Sequence, residues 1–475
     1  MRMIAERRTT IMGDPAAAYP TTQWYLVLGM FVILFVGDLL SQLNIVPGIA
    51  PDVMLMVVQM GMLFGAVVQS IHYRVPLRLP GLVPLMLLLA VVFVSAIMNE
   101  QGVMETIVFV RCMLGQYVVL VVMLGLRFTA EEYKKLNWAI FALCAVQIPA
   151  ALFRLSTLGS EAYLAGGGTD HKFGSEAASG TMAAAGGSMG TTFPLMVIGF
   201  LYAFYLWKGK KVYLLWMAGF MFFSFCVSKR AFPLVLPIYV LWLDVIIRRK
   251  SLLSREFALP WVITIFGLFA AMILHPSLNS ADTVGGTIDF RHVFNYVKSY
   301  SSGVSAQGRS SGRYSTSKRL IVNATEKGVT TVLIGNGPAT LIKSGLIDSN
   351  FRENLRDWDI DYGVTGAGWI FAQIGLLGLV CFLWFVAHFF RQAIRIHRRE
   401  QIPYWRAICG GLIGLHLVVL GDTAFYSSAF VTGKLLPALF FLFLAQVLSR
   451  KDLYAKKLRG MPPKNVPPVM RPWSG

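Results

Sequence analysis

Long apolar runs follow one another along nearly the whole chain, separated by short polar stretches, and few architectures can absorb them. A run of about 20 apolar residues matches the hydrocarbon thickness of a bilayer when it is helical. Twelve such runs are read as spans: 23–43, 52–71, 82–98, 104–126, 136–156, 190–207, 212–228, 231–247, 258–275, 364–389, 406–421 and 428–448. With 56% hydrophobic and 14% charged residues, little is left over for a large soluble body. The expected fold class is therefore an all-α polytopic membrane protein of about 12 transmembrane helices.

The net charge of +19 then reads as topology rather than as a nucleic-acid footprint. Alternate connections carry Arg2, Arg7 and Arg8; Arg74 and Arg78; Arg127, Lys134 and Lys135; Lys208, Lys210 and Lys211; Arg248, Arg249, Lys250 and Arg255; Arg391, Arg395, Arg398 and Arg399; and a Lys-rich tail after Arg450. The short connections between them, "NIVPGIAP", "MNEQG" and "GDTAFYSS", hold no Lys or Arg. Both termini are thus expected in the cytoplasm. The first basic residues are followed by a polar stretch and then by a run long enough to span, which is not the pattern of a cleavable signal peptide. All five cysteines lie in apolar stretches without metal-site spacing and read as packed thiols.

The expected organisation is a cytoplasmic segment 1–22, nine spans over 23–275, an outer cap 276–363, three spans over 364–448 and a basic cytoplasmic tail 449–475. Within the first block, residues 157–190 are rich in Gly, Ala and Ser and read either as a loose outer loop or as a partly re-entrant segment. The cap contains the periodic "RHVFNYVKSY", the break "SSGVSAQGRSSGR" and a helix-like "STSKRLIVNATEKG". It is expected to be mostly helical.

Charges inside spans are costly and usually functional. Asp38, Arg111, Arg154, Arg230, Asp422 and Lys434 all fall in the outer half of their runs or at the outer rim, which points to a polar cavity opening outward, although a salt bridge such as Asp38 with Arg111 fits equally well. Asp244 sits near an inner end, where snorkelling explains it. In "FSFCVSKRAFPLVLP", Lys229 and Arg230 interrupt an apolar stretch at a predicted hairpin tip, on the side where topology gives no reason for cations. Between Arg291 and Arg319 the cap carries Arg291, Lys298, Arg309, Arg313, Lys318 and Arg319 with no carboxylate. Such a block suits an anionic ligand, phosphate above all, or acidic lipid headgroups. Glu353, Asp357, Asp359 and Asp361 follow in "ENLRDWDIDYG". A ring of acids, as in a cation channel, and carboxylates near mid-membrane, as in a proton-coupled transporter, are not evident.

Three motifs then occur in order: "VSKRAF", "SSGRY" followed by "LIGNGPAT", and "GWIFAQIGLLGLVCF". Together they resemble the bacterial O-antigen ligase and polysaccharide polymerase superfamily over roughly residues 180–450. The first is similar to its serine-arginine hairpin, the second to the Ser-Gly-Arg element and glycine turn of its large periplasmic loop, and the third to the span after that loop. The resemblance implies the C-type glycosyltransferase architecture in the bacterial inner membrane. It implies transfer of a glycan from undecaprenyl pyrophosphate to an acceptor hydroxyl at the outer face, with no nucleotide sugar, metal or other cofactor. Flippase and chain-length or export proteins are the protein partners it implies.

Carried over by residue, Arg230 matches the hairpin arginine and Arg313 the loop arginine, and both are expected to grip the pyrophosphate. Arg291, Arg309 and Arg319 are candidates for holding the second lipid-linked glycan, with Lys229 and Arg111 completing the substrate-binding set. His292, Asp359 or Asp361 is the candidate base. Ligases of the family carry a His-Asn shortly before the last motif, where this chain has "DIDYGVTG". That departure favours a repeat-unit polymerase over a ligase. A flippase or other transporter is the competing class, although the chain shows no half-to-half repeat.

Overall fold

The computed structural model describes residues 20–42, 45–47, 49–72, 77–126, 128–164, 181–182, 186–227, 231–248, 269, 273, 286–287, 289–304, 309–342, 351–360, 363–425 and 429–460. It is about 84% helical, with no strand among the described residues. In chain order the first helices are α1 (Pro20–Gln42), α2 (Ala50–His72), α3 (Leu82–Met98), α4 (Val103–Leu114), α5 (Tyr117–Gly125) and α6 (Ala130–Leu164). Next come α7 (Gly186–Lys208), α8 (Val212–Cys226) and α9 (Ala231–Arg248). The cap holds α10 (Phe290–Ser302), α11 (Arg313–Lys327), α12 (Val329–Ile334) and α13 (Phe351–Asp357). The chain closes with α14 (Gly366–Arg399), α15 (Pro403–Phe425), α16 (Ala429–Thr432) and α17 (Leu435–Gly460).

Eleven of the twelve apolar runs coincide with these helices, and 258–275 lies outside the described residues except at 269 and 273. Among the described residues, fewer pass as both long and apolar enough to cross a bilayer alone. By length and composition five qualify, within α2, α6, α7, α14 and α15; α4 and α5 make a sixth if counted together across their 63° bend. Among the shorter helices, the 17 residues of α3 rise only about 26 Å, below the roughly 30 Å of a hydrocarbon core. The apolar run interrupted by Lys229 and Arg230 does break into two helices there. α8 packs chiefly on α7, and α9 equally on α7 and α15, rather than on each other.

The core is a contiguous apolar body in which α7 and α15 make the most extensive pairing. They approach closely because glycines face the contact: a Cβ on Gly411 would meet the Phe200 ring at 2.0 Å. At one end of this body the basic connections gather. Lys134 and Lys208 both lie over the Tyr404 ring, Arg406 lies 3.7 Å from the Trp207 ring centroid, and Arg450 pairs with Glu400 while facing Trp405. Asp244 is buried here and paired with Arg248 at 2.8 Å, so an ion pair and not snorkelling accounts for it. Aromatic rings and long cations together are the composition of a membrane–water boundary.

The cap sits at the opposite end and is locked to the bundle by a broken helix. Inside α14, Ile374 and Gly375 leave helical geometry, Gly375 at φ 67° and ψ −170°. The segment after α12 docks against that break. Asn336 and Gly337 donate backbone N–H bonds to the carbonyls of Ala372 and Gln373 at 2.9 and 3.0 Å. From α3, the buried Ser95 hydroxyl donates to the carbonyls of Ile334 and Gln373 at 2.6 and 3.1 Å. Gly335, at φ 78°, and Gly375 share a backbone region open almost only to glycine. Their missing side chains are also what allows contact: a Cβ on Gly375 would stand 2.3 Å from the Leu333 carbonyl, and one on Gly335 2.4 Å from that of Gln373.

The far end of the Gly-rich stretch enters the bundle. Thr181 is buried, its N–H donating to Gln147 Oε1 at 2.9 Å and its hydroxyl to the Phe35 carbonyl at 2.6 Å. Both partners are mid-helix residues; residues 165–180 lie outside the described residues.

Gly375→Ala or Gly335→Ala is expected to destabilise the protein by at least the 1–3 kcal/mol typical of a residue forced into such a conformation. Gly29→Ala, where a Cβ meets nothing within 4 Å, serves as the control. Thermal unfolding in detergent of the three variants checks this, and equal melting temperatures for Gly29→Ala and Gly375→Ala would refute the docking account.

Candidate functional site

The cap arginines are placed by close backbone packing. Ser311 and Gly312 donate N–H bonds to the Gly303 carbonyl at 3.0 and 2.9 Å, and Ser310 N–H donates to the Asp359 carbonyl at 2.9 Å. A Cβ on Gly312 would stand 2.3 Å from the Ser301 carbonyl, so the residue before Arg313 has to be glycine. The Ser315 hydroxyl closes the turn by donating to the carbonyls of Gly312 and Gly303. The "SSGR" motif is thus a turn that starts α11 with an arginine at its first position.

From there the Arg313 side chain reaches the membrane bundle, with Nη1 donating to the Phe425 carbonyl at the end of α15, 3.3 Å away. A guanidinium at a helix C-terminus meets the negative end of the helix dipole. One turn back on α15 lies the buried Asp422, whose Oδ2 accepts the N–H of Phe430 at 3.1 Å. Lys434, just beyond α16, is ion-paired with Asp52 in the first turn of α2. That pair is within electrostatic reach of Cys112, next to the exposed Arg111. Arg313 thus ties α11 of the cap to the end of α15 in the bundle.

The remaining candidates divide. Arg319 and Asp359, expected as a glycan-binding residue and a candidate base, are paired with each other at 2.9 Å, both partly exposed. Asp359 has a left-handed φ of 57° at the turn after α13. Arg291 and His292 occupy the first turn of α10, where Asp289 Oδ1 accepts both of their backbone N–H groups at 2.9 and 3.1 Å. Nε2 of His292 is buried without a hydrogen-bond partner among the described residues. Arg309 is half-buried on the turn that carries Arg313. Lys229, Arg230 and Asp361 lie outside the described residues, as does the side chain of Asp38. The chain leading to the "SKR" tip is nevertheless anchored, with the buried Ser224 hydroxyl donating to the Gly190 carbonyl at 2.9 Å.

Sequence reasoning did not single out Asp52, whose only signal is an acid in the first turn of an otherwise apolar run. Nor did it find Ser95, a hydroxyl hidden in such a run. Among the described residues no group of His, Cys, Asp and Glu gathers to hold a metal ion.

Arg319→Ala is expected to cost less than about 1 kcal/mol, because the exposed pair is screened by water. Gly312→Ala is expected to cost clearly more by displacing the turn that starts α11. Parallel unfolding curves decide this: a larger loss for Arg319→Ala would overturn the ranking. No protein-family model matches the chain, and no curated protein matches it.

Proposed function

We infer that this protein is a polymerase that joins undecaprenyl-pyrophosphate-linked oligosaccharide units at the outer face of a bacterial inner membrane. In this reading the chain crosses the membrane twelve times, both termini are cytoplasmic and the cap is periplasmic. One observation carries it: Arg313, the loop arginine of the resembling motif, is held at the seam between cap and membrane helices, where a lipid pyrophosphate would present its charge. The gathering of Lys134, Lys208, Arg406 and Arg450 at the other end supports the orientation.

In the reaction the acceptor hydroxyl oxygen bonds to the anomeric carbon of the donor sugar. The bond from that carbon to pyrophosphate breaks, the lipid pyrophosphate leaves with the electron pair, and the hydroxyl proton passes to a base. A pyrophosphate is already a good leaving group, so charge stabilisation there matters more than a strong acid. Arg313 from the cap and Arg230 from the tip between α8 and α9 supply it through paired charged hydrogen bonds. His292, Asp359 and Asp361 remain the candidates for the base.

Arg313→Ala and Arg230→Ala are each expected to abolish polymer in a producing cell while the variant still inserts in the membrane. Single lipid-linked repeats should then accumulate on the outer face. Units trapped inside would instead identify a flippase, and full-length lipid-linked chains a ligase. Normal polymer from both variants would sink the pyrophosphate clamp. A cysteine placed at Ser302 should react with an impermeant thiol reagent without permeabilising the inner membrane, and labelling only after permeabilisation would reverse the orientation.

A further inference from the structure

In α10 the exposed apolar side chains form one stripe. At about 100° per residue, Phe290, Phe294 and Val297 share a side of the helix. They are 57%, 70% and 43% exposed, and Val304, just past its end, is 61% exposed. Arg291 and Lys298, both exposed, fall together on one flank of that stripe. His292 and Val293 fall away from them and are partly buried. The helix thus has three sectors: one toward the cap, one cationic and one apolar and largely exposed.

Its height along the bundle says what covers the apolar sector. The Phe290 ring packs edge-on against Phe269, with centroids 5.8 Å apart. Phe269 is itself helical and lies within the apolar run 258–275, six residues from its end in sequence. The start of α10 is therefore level with apolar membrane sequence rather than raised above it. A short helix at that height, with rings on one face and long cations beside them, has the pattern of an in-plane interfacial helix.

We propose that α10 lies in the outer membrane–water interface, with Phe290, Phe294 and Val297 among the lipid acyl chains and Arg291 and Lys298 against the phosphate layer. The occupant of the apolar stripe is lipid. The cations snorkel from the helix flank to the headgroups, and Asp289 holds the first turn in place. This holds whatever reaction the protein performs, since it needs only the apolar helices to be in a bilayer. It also identifies Arg291 as a lipid-headgroup contact, whereas Arg309 and Arg313 sit at the cap seam.

The test uses nitroxide labels at Phe294→Cys and Ser299→Cys in the full chain, reconstituted in phosphatidylethanolamine–phosphatidylglycerol vesicles, with the half-buried Cys112 and Cys381 replaced by serine. Collision with oxygen relative to a water-soluble nickel chelate should be several-fold higher at 294 than at 299. An equal or lower ratio at 294 would place the stripe in water and overturn the proposal. Low collision with both reagents at 294 would show protein covering it, and would overturn it as well. Should the variants fail to fold, a photoreactive acyl chain in vesicles holding the wild-type protein decides the question. Adducts on residues 292–298 are expected, and their absence with adducts elsewhere would again refute the idea.

Discussion

The cap is held to the bundle by two glycines meeting at a break in α14. A break in a buried helix leaves carbonyls whose usual partners have turned away, and each buried group left unpaired costs about 1–3 kcal/mol. Here the carbonyls of Ala372 and Gln373 accept bonds from Asn336 and Gly337, and Ser95 adds a third donor from α3. The break is therefore a socket, and the segment that fills it begins the link from α12 to α13. Gln373 extends the socket by accepting from the Leu341 N–H at its side-chain oxygen, and Trp369 by donating to the Leu341 carbonyl at 3.1 Å. The position of α11 and α12, and hence of Arg313, follows from a contact that tolerates no side chain at 335 or 375.

The two ends of the bundle are held by different chemistry. At the basic end, cations lie on aromatic rings and two buried carboxylates, Asp244 and Glu400, are each paired with an arginine. Asn137 and Gln446 exchange hydrogen bonds at 2.8 and 2.7 Å, and Asn137 also reaches the Tyr404 hydroxyl, fixing the ring that the lysines use. At the capped end the polar contacts are mainly to backbone carbonyls: Gly303, Phe425, Asp359 and Gln373 all accept. Backbone contacts place a turn with little latitude, which suits a loop that must present one arginine at a fixed height. The exposed ion pair of Arg319 and Asp359 adds little rigidity beside them.

Much of this was legible in the chain. Apolar run length located the helices, because the runs are set by membrane thickness, and the bias of Lys and Arg sorted their connections into two ends. Residues such as "SSGRY" and "LIGNGPAT" were also visible as motifs. Their physical role was not: Gly312 is needed for a 2.3 Å approach to the Ser301 carbonyl, and Gly335 for its meeting with a residue 40 positions later. Five described helices are long and apolar enough to span alone, with the bent pair α4 and α5 a sixth, because several apolar runs are divided among bent or short helices.

By itself, then, the sequence determined that this is a helical membrane protein with a basic end and a polar, arginine-rich end, because burial and charge act residue by residue. Only the tertiary structure decided that Asp52 pairs with Lys434, that Arg319 pairs with Asp359, and that Arg313 meets the end of α15. Those choices depend on which distant backbones approach closely enough to exchange hydrogen bonds. That approach is governed by glycines whose meaning is spatial, and nothing local to 335 or 375 records the other's presence.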